Sequence, residues 1–298
     1  MAALHAAIAA GPAAAIDNRQ LAAWAAQIDG MFFAGQLAAV ERAVRLLLKV
    51  SPSLPYARSM CGVFDRLPPA DGTQSPFVDD PKKDAQIVSR PGSDLVVVLF
   101  CGRGLRLGLP LPVMHRWIGK LPASLIYLRD FTSHAYLKGV PSFGPDKRSA
   151  IAELRRQIER LHGRRVCCYG NSGGVYAALH YGLELGAQAV LCMAGKTNRT
   201  REFSAFSPSE HRAARLQQEH PDVQLDARRL YEHAPNPPRV RIVYGDGNWS
   251  DRRHAEHMAA LKCVTLRPIE DYAGHRAALE LITRGEYQQL LDWLVAPS

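Results

Sequence analysis

The chain has no run of about 18 uninterrupted apolar residues, so no membrane-spanning helix is expected. Its alanine-rich start, Met1 to Ile16, lacks a Lys or Arg ahead of the apolar run. Gly11-Pro12 interrupts that run, so a cleaved signal peptide is not expected either. Cysteine is scarce: Cys61, Cys101, Cys167, Cys168, Cys192 and Cys263 are six residues with no C-x-x-C pair among them. This excludes a disulfide-stapled mini-fold and offers no zinc spacing. Cys101, Cys167, Cys168 and Cys192 sit in or beside apolar runs and read as small buried hydrophobes in a reducing, cytoplasmic setting. No run of five or six basic residues appears, and no aromatic platform is interleaved with the arginines. The net charge of +9 therefore reads as a solvated, arginine-rich surface, with no nucleic-acid partner expected.

What is present fits a globular α/β protein. The 298 residues are 47% hydrophobic and 22% charged, enough for a large core in one or two domains. Within residues 17–50, Leu21, Trp24, Ile28, Met31 and Phe32 recur at three- and four-residue steps. Leu37, Val40, Val44, Leu47 and Leu48 do the same, with Gly30 and Gly35 around the break, which predicts two short helices. No second copy follows, so a solenoid is not indicated. Residues 51–92, punctuated by Pro68-Pro69, Asp71-Gly72 and Pro91-Gly92, read as connection or edge structure.

From Asp94 the pattern changes. Leu95 to Phe100 is a continuous β-branched and apolar run, the mark of a strand covered on both faces. Further strands are predicted at 125–128, 166–169, 189–193, 240–244 and 264–266. Helices are predicted at 149–162, 175–185 and 251–261, and from Arg276 to Leu294. Alternating strands and helices imply a three-layer α/β/α sandwich with a mostly parallel sheet. The expected organisation is a helical segment and linker at 1–75, then an α/β domain at 76–298 carrying a small helical cap at 196–235.

Gly170-Asn171-Ser172-Gly173-Gly174 matches G-x-S-x-G between an apolar strand and a helix. Such a turn lifts the serine hydroxyl above the sheet edge and places the Gly173 amide to receive an oxyanion. A serine needs a base, and His275 is the one histidine after the last predicted strand, in Tyr272-Ala273-Gly274-His275. The acid belongs after the strand ending at Tyr244, where Gly245-Asp246-Gly247-Asn248-Trp249-Ser250-Asp251 offers Asp251, preferred, and Asp246. Asp251-Arg252-Arg253-His254 also spells D-x-x-H, but the strand order argues against that pairing. After the first long strand, Gly102 permits a close backbone approach, and the Arg103 amide is the expected second oxyanion donor. Arg103 and Arg106 are further candidates to hold an anionic group of the substrate.

Over about residues 94–298 the chain resembles the α/β-hydrolase family of serine hydrolases. The likeness rests on the Cys101-Gly102-Arg103 loop, the Gly170-to-Gly174 elbow, the Gly245-to-Asp251 loop and Gly274-His275. It implies a Ser172–His275–Asp251 triad, an acyl-enzyme intermediate, and neither metal nor cofactor. Two positions depart from the family: Cys101-Gly102 replaces His-Gly, and Asn248 stands at the usual acid position. The expected activity is cleavage of a carboxylic ester or thioester of a small molecule, lipid or sugar. Acyl transfer by the same serine and a non-catalytic scaffold are the alternatives. In the cap, Phe203, Phe206 and Leu216 are candidates to line an acyl or aromatic site.

Overall fold

The computed structural model describes residues 17–201, 203, 215, 217–218 and 223–297. The leader reading of Met1 to Ile16, and Phe206 and Leu216 of the expected cap, lie outside the described residues. The chain groups into two compact units. One holds residues up to Pro69 together with Leu279–Glu286, and the other holds Ala70–Ala278 with Tyr287–Ser298.

In the first unit the predicted helical pair forms as α1 (Asn18–Phe33) and α2 (Leu37–Val50). Trp24, Ile28 and Phe32 of α1 and Val40, Val44 and Leu47 of α2 are buried, as a 3.6-residue period requires. A third helix, α3 (Pro55–Arg66), corrects the expectation of connection or edge structure over the first part of 51–92. Pro55 marks its start, because proline is compatible with the first helical turn, where an amide donor is not needed. Val63 and Phe64 of α3 are buried, and Phe64 meets Phe32 edge-on at 6.1 Å.

In the second unit, seven strands among the described residues form one sheet. In chain order they are β1 (Ala85–Val88), β2 (Leu95–Phe100), β3 (Ser124–Leu128), β4 (Arg165–Asn171), β5 (Ala189–Met193), β6 (Arg239–Gly245) and β7 (Val264–Ile269). Their spatial order is β1-β3-β2-β4-β5-β6-β7, with β1 antiparallel at one edge and every other pairing parallel. Every residue of β2, β3 and β5 is buried, so these runs show no polar alternation.

Helices cover both faces. On one face Val98, Ile126, Cys168, Val190 and Ile242 form a core with α5 (Lys147–Arg160), α6 (Gly174–Glu184) and α8 (Trp249–His257). The helix α7 (Ala227–Glu232) adds Tyr231 to that core. On the other lie α4 (Leu111–Ile118), which the sequence reading did not identify, and α10 (Tyr287–Val295). Tyr287 of α10 meets Trp117 of α4 edge-on, and its hydroxyl donates to that of Tyr169 in β4 at 3.3 Å. The predicted C-terminal helix from Arg276 to Leu294 is two helices, α9 (Ala277–Arg284) and α10. Gly285, at φ +77°, breaks it in a left-handed conformation that glycine adopts without steric penalty. No described helix is long and apolar enough to cross a membrane.

Candidate active site

Strand β4 delivers Ser172 to the carboxyl edge of the sheet, where the chain turns sharply into α6. Ser172 has φ +52°, a left-handed conformation that costs a non-glycine residue about 1–3 kcal/mol. Its amide donates to the Met193 carbonyl at 2.8 Å, which ties the turn to the end of β5. The next turn of chain is crowded: a Cβ on Gly174 would run into the Phe100 carbonyl of β2. Glycine there lets α6 begin directly against the sheet.

The Ser172 Oγ lies 2.8 Å from His275 Nε2. The other ring nitrogen, Nδ1, lies 3.0 and 2.8 Å from the two carboxylate oxygens of Asp251. A carboxylate only accepts, so Nδ1 carries the proton and donates it to Asp251. Nε2 of the neutral ring is then the acceptor for the serine hydroxyl. The hydrogen bond to Asp251 raises the His275 pKa above its ordinary value, against the opposing effect of burial. Asp251 is buried in the first turn of α8, whereas the His275 side chain is about half exposed.

Asp246 occupies a different position. Its carboxylate accepts from the amides of Asp271 and Tyr272 at 3.1 and 3.0 Å, holding the loop that carries His275. Those amides and that of Gly247, with the Tyr272 bond foremost, keep its pKa below the ordinary carboxylate value. Asn248, at the usual acid position, caps α8 by accepting from the Asp251 amide at 3.0 Å. Its Nδ2 donates to the Ala273 carbonyl at 3.3 Å, joining the acid loop to the histidine loop. The D-x-x-H pairing does not form: the Asp251 carboxylate meets His275, while buried His254 accepts from the Thr197 amide at 3.3 Å.

The loop after β2 sits across the turn. A Cβ on Gly102 would come within 2.9 Å of the Asn171 carbonyl and 3.1 Å of Ser172 Cβ, so only glycine lets this backbone come so close. The Gly102 amide donates to the Arg106 carbonyl at 2.9 Å. Among the described residues the amides of Arg103 and Gly173 make no such bond, and both residues line the cavity at Ser172. That cavity measures about 440 Å³.

Three parts of its wall were not read from the sequence. Asp130, Ser133, Ala135 and Tyr136 form one side, with Ser133, Ala135 and Tyr136 all at positive φ. Lys196 and Arg199, just after β5, form another, and Ser250 contributes beside Asp251. The available signal was position: segments leaving the carboxyl ends of a parallel sheet converge on one crevice. Phe203 meets His254 and His257 of α8 at a tilt, with ring centroids at 5.1 and 4.5 Å, and is not among the cavity-lining residues. Among the described residues, no group of three or more His, Cys, Asp or Glu side chains is arranged to hold a metal ion.

No family model and no curated protein matches the chain. Solved structures do. The capsule O-acetyltransferase of Neisseria meningitidis serogroup A matches with a TM-score of 0.51 at 12% identity, over 70% of this chain and 91% of that one. An S-formylglutathione hydrolase from Agrobacterium tumefaciens gives 0.48 at 14% identity, over 70% and 87%. An alpha/beta hydrolase enzyme from the metagenome of lagoon sediments at Mar Chica, Morocco, gives 0.45 at 14% identity, over 72% and 96%. The sheet itself decides the matter, with β2 between β3 and β4 and β1 antiparallel at the edge. This is the α/β-hydrolase fold. In an α/β-hydrolase sheet the turn after β4 and the loops after β2, β6 and β7 meet at one edge, and here they bring Ser172, Arg103, Asp251 and His275 to one cavity.

Proposed function

We propose that the protein is a serine hydrolase that cleaves a carboxylic ester or thioester through an acyl-enzyme. Ser172 is the nucleophile, His275 the general base and then acid, and Asp251 the residue that orients the imidazole. The observation that carries this reading is the hydrogen-bonded series Ser172–His275–Asp251, with links of 2.8 Å at Nε2 and 2.8 Å at Nδ1.

In the proposed reaction Ser172 Oγ attacks the carbonyl carbon while its proton passes to His275 Nε2. The carbonyl oxygen becomes an oxyanion facing the amides of Gly173 and Arg103. Gly102 contributes by letting its loop approach rather than by donating. The intermediate then expels the alcohol or thiol, which takes the proton from His275, leaving the acyl group on Ser172. Water, deprotonated by His275, attacks that acyl group, and the acid and free Ser172 result. Asp251 remains ionised and stabilises the imidazolium formed in each half. In this proposal residues 76–298 are the catalytic body, residues 196–235 its cap, and residues 1–75 an N-terminal addition.

The test is a fluorophosphonate probe read by intact mass, alongside turnover of a panel of short and long acyl esters and sugar acetates. Wild type is expected to gain one adduct, and Ser172→Ala none. Equal labelling of Ser172→Ala ends the reading. Adding an alcohol or sugar acceptor separates hydrolysis from acyl transfer, because transfer diverts the acyl group from water into a new ester.

A further inference from the structure

The Arg103 amide belongs to a short turn that closes on itself. The Leu105 amide donates to the Gly102 carbonyl and the Gly102 amide to the Arg106 carbonyl, both at 2.9 Å. Such a turn moves as one piece, so the place of the Arg103 amide is set by what grips the turn from outside. A Cβ built on Gly173 would lie 3.4 Å from the Arg103 nitrogen, so the two donors of the proposed oxyanion site are neighbours. An oxyanion donor is effective when it is already in position, because no reorganisation is then needed as charge develops.

Two side chains that follow β3 grip the turn by its carbonyls. At the far end Arg129 Nε donates to the Leu105 carbonyl at 3.2 Å. That guanidinium is itself fixed: Nη1 donates to the carbonyls of Asp80 and Lys83, both at 3.1 Å, and Nη2 to the Asp79 carboxylate at 2.5 Å. At the near end the Tyr136 hydroxyl donates to the Leu128 carbonyl at 2.7 Å and to the Cys101 carbonyl at 3.0 Å. The two acceptors are not equivalent. The Leu128 carbonyl also accepts from the Cys101 amide at 3.0 Å, whereas among the described residues the Cys101 carbonyl has no donor but Tyr136. Tyr136 is fully buried and meets the Phe100 ring edge-on at 5.3 Å. Its backbone stands at φ +62°, tied by its amide to Asp130 at 3.1 Å and by its carbonyl to the Tyr181 hydroxyl at 2.9 Å. Strain of this kind persists where the surroundings over-determine the conformation. Burial raises the Tyr136 pKa well above its ordinary value, so the hydroxyl remains a donor.

We propose that Tyr136 is a positioning residue of this site. Its hydroxyl holds the Cys101–Gly102 peptide, and through it the Arg103 amide, where an oxyanion forms beside Ser172. Tyr136 lines the cavity, but its one hydroxyl proton is committed to two carbonyls, so it acts through the turn and not on the substrate. This inference rests on the serine-ester reading and adds to it a residue that neither the elbow nor the triad contains.

The test is Tyr136→Phe, which fills the same buried space and keeps the ring contact with Phe100 but removes the hydroxyl. The readouts are kcat and KM for a p-nitrophenyl ester, the second-order rate of Ser172 modification by a fluorophosphonate, and the pH of the rising limb of kcat/KM. kcat is taken per serine that the probe labels at completion, so loss of folded protein does not enter it. Tyr136→Phe is expected to lower kcat about tenfold, short of the roughly 100-fold that follows outright loss of an oxyanion donor, and to slow labelling by a similar factor. KM is expected to stay within about twofold, and the pH limb to stay where it is, because His275 and Asp251 are untouched. An unchanged kcat overturns the proposal and leaves the serine reading standing. A shifted pH limb, or a KM that rises as far as kcat falls, shows a general loosening of the site and overturns it as well. If wild type is neither labelled nor turns over the ester, the serine reading fails and this inference fails with it.

Discussion

At the residue scale, strain and charge at Ser172 and His275 give two tests. Ser172 sits at φ +52°, where glycine rests more easily than any residue with a Cβ. Ser172→Ala keeps the strain and Ser172→Gly releases it. Both are expected to lose probe labelling, while Ser172→Gly is about 1 kcal/mol more stable to urea than Ser172→Ala. In the proposed mechanism His275 acts as a base only when neutral, and Asp251 raises its pKa. The rising limb of kcat/KM is therefore expected above the ordinary value of 6.5 for histidine. Asp251→Asn is expected to shift that limb to lower pH and to reduce the plateau by about 10²- to 10⁴-fold. Unchanged turnover in Asp251→Asn would return the acid role to Asp246. Sequence alone left these two aspartates open, because both lie in one loop. The difference is which carboxylate reaches the imidazole, a matter of three-dimensional placement.

At the element scale, the site depends on how strand ends turn into helices. Asn248 is both the cap of α8 and the link to Ala273 on the histidine loop. Asn248→Ala is expected to lower stability by about 1 kcal/mol and to lower kcat more than it raises KM, since it loosens the acid and base relative to each other. An unchanged kcat would refute that linking role. The α6 start is less forgiving. Gly174→Ala drives a methyl group into the Phe100 carbonyl, and loss of several kcal/mol in denaturant midpoint is expected. The strands were legible in the sequence because continuous apolar runs have few other uses. The helices α3 and α4 were not, because each is short and carries a proline at its start, Pro55 or Pro112, which the first turn tolerates but which gives no local helical signal. The break at Gly285 was hidden for a related reason: the apolar spacing runs on through it, and only the left-handed backbone divides α9 from α10.

At the scale of the whole molecule, burial of neutral histidines sets the response to acid. His254 holds off protonation until about pH 3, whereas the same group in an unfolded chain takes up a proton near 6.5. The unfolded state therefore binds more protons between those values. Stability from this group is complete above pH 6.5 and declines as pH falls toward 3, by on the order of 1 kcal/mol per pH unit. His115 and His180 are shifted downward by burial in the same sense. Urea midpoints are expected to drop between pH 7 and pH 5, and less steeply in His254→Gln. A midpoint flat over that interval would refute the assignment.

The sequence by itself determined the layers of the fold and the order along the chain of Ser172, Asp251 and His275. Hydrophobic period, β-branched runs and a glycine-flanked serine act locally, within a few residues of where they are written. The tertiary structure alone decided which aspartate meets His275, where the C-terminal helix breaks, and that Arg103, Lys196 and Arg199 share one cavity. These depend on distances between segments tens of residues apart, which the packing of helices on a twisted parallel sheet sets and which no local pattern of residues encodes.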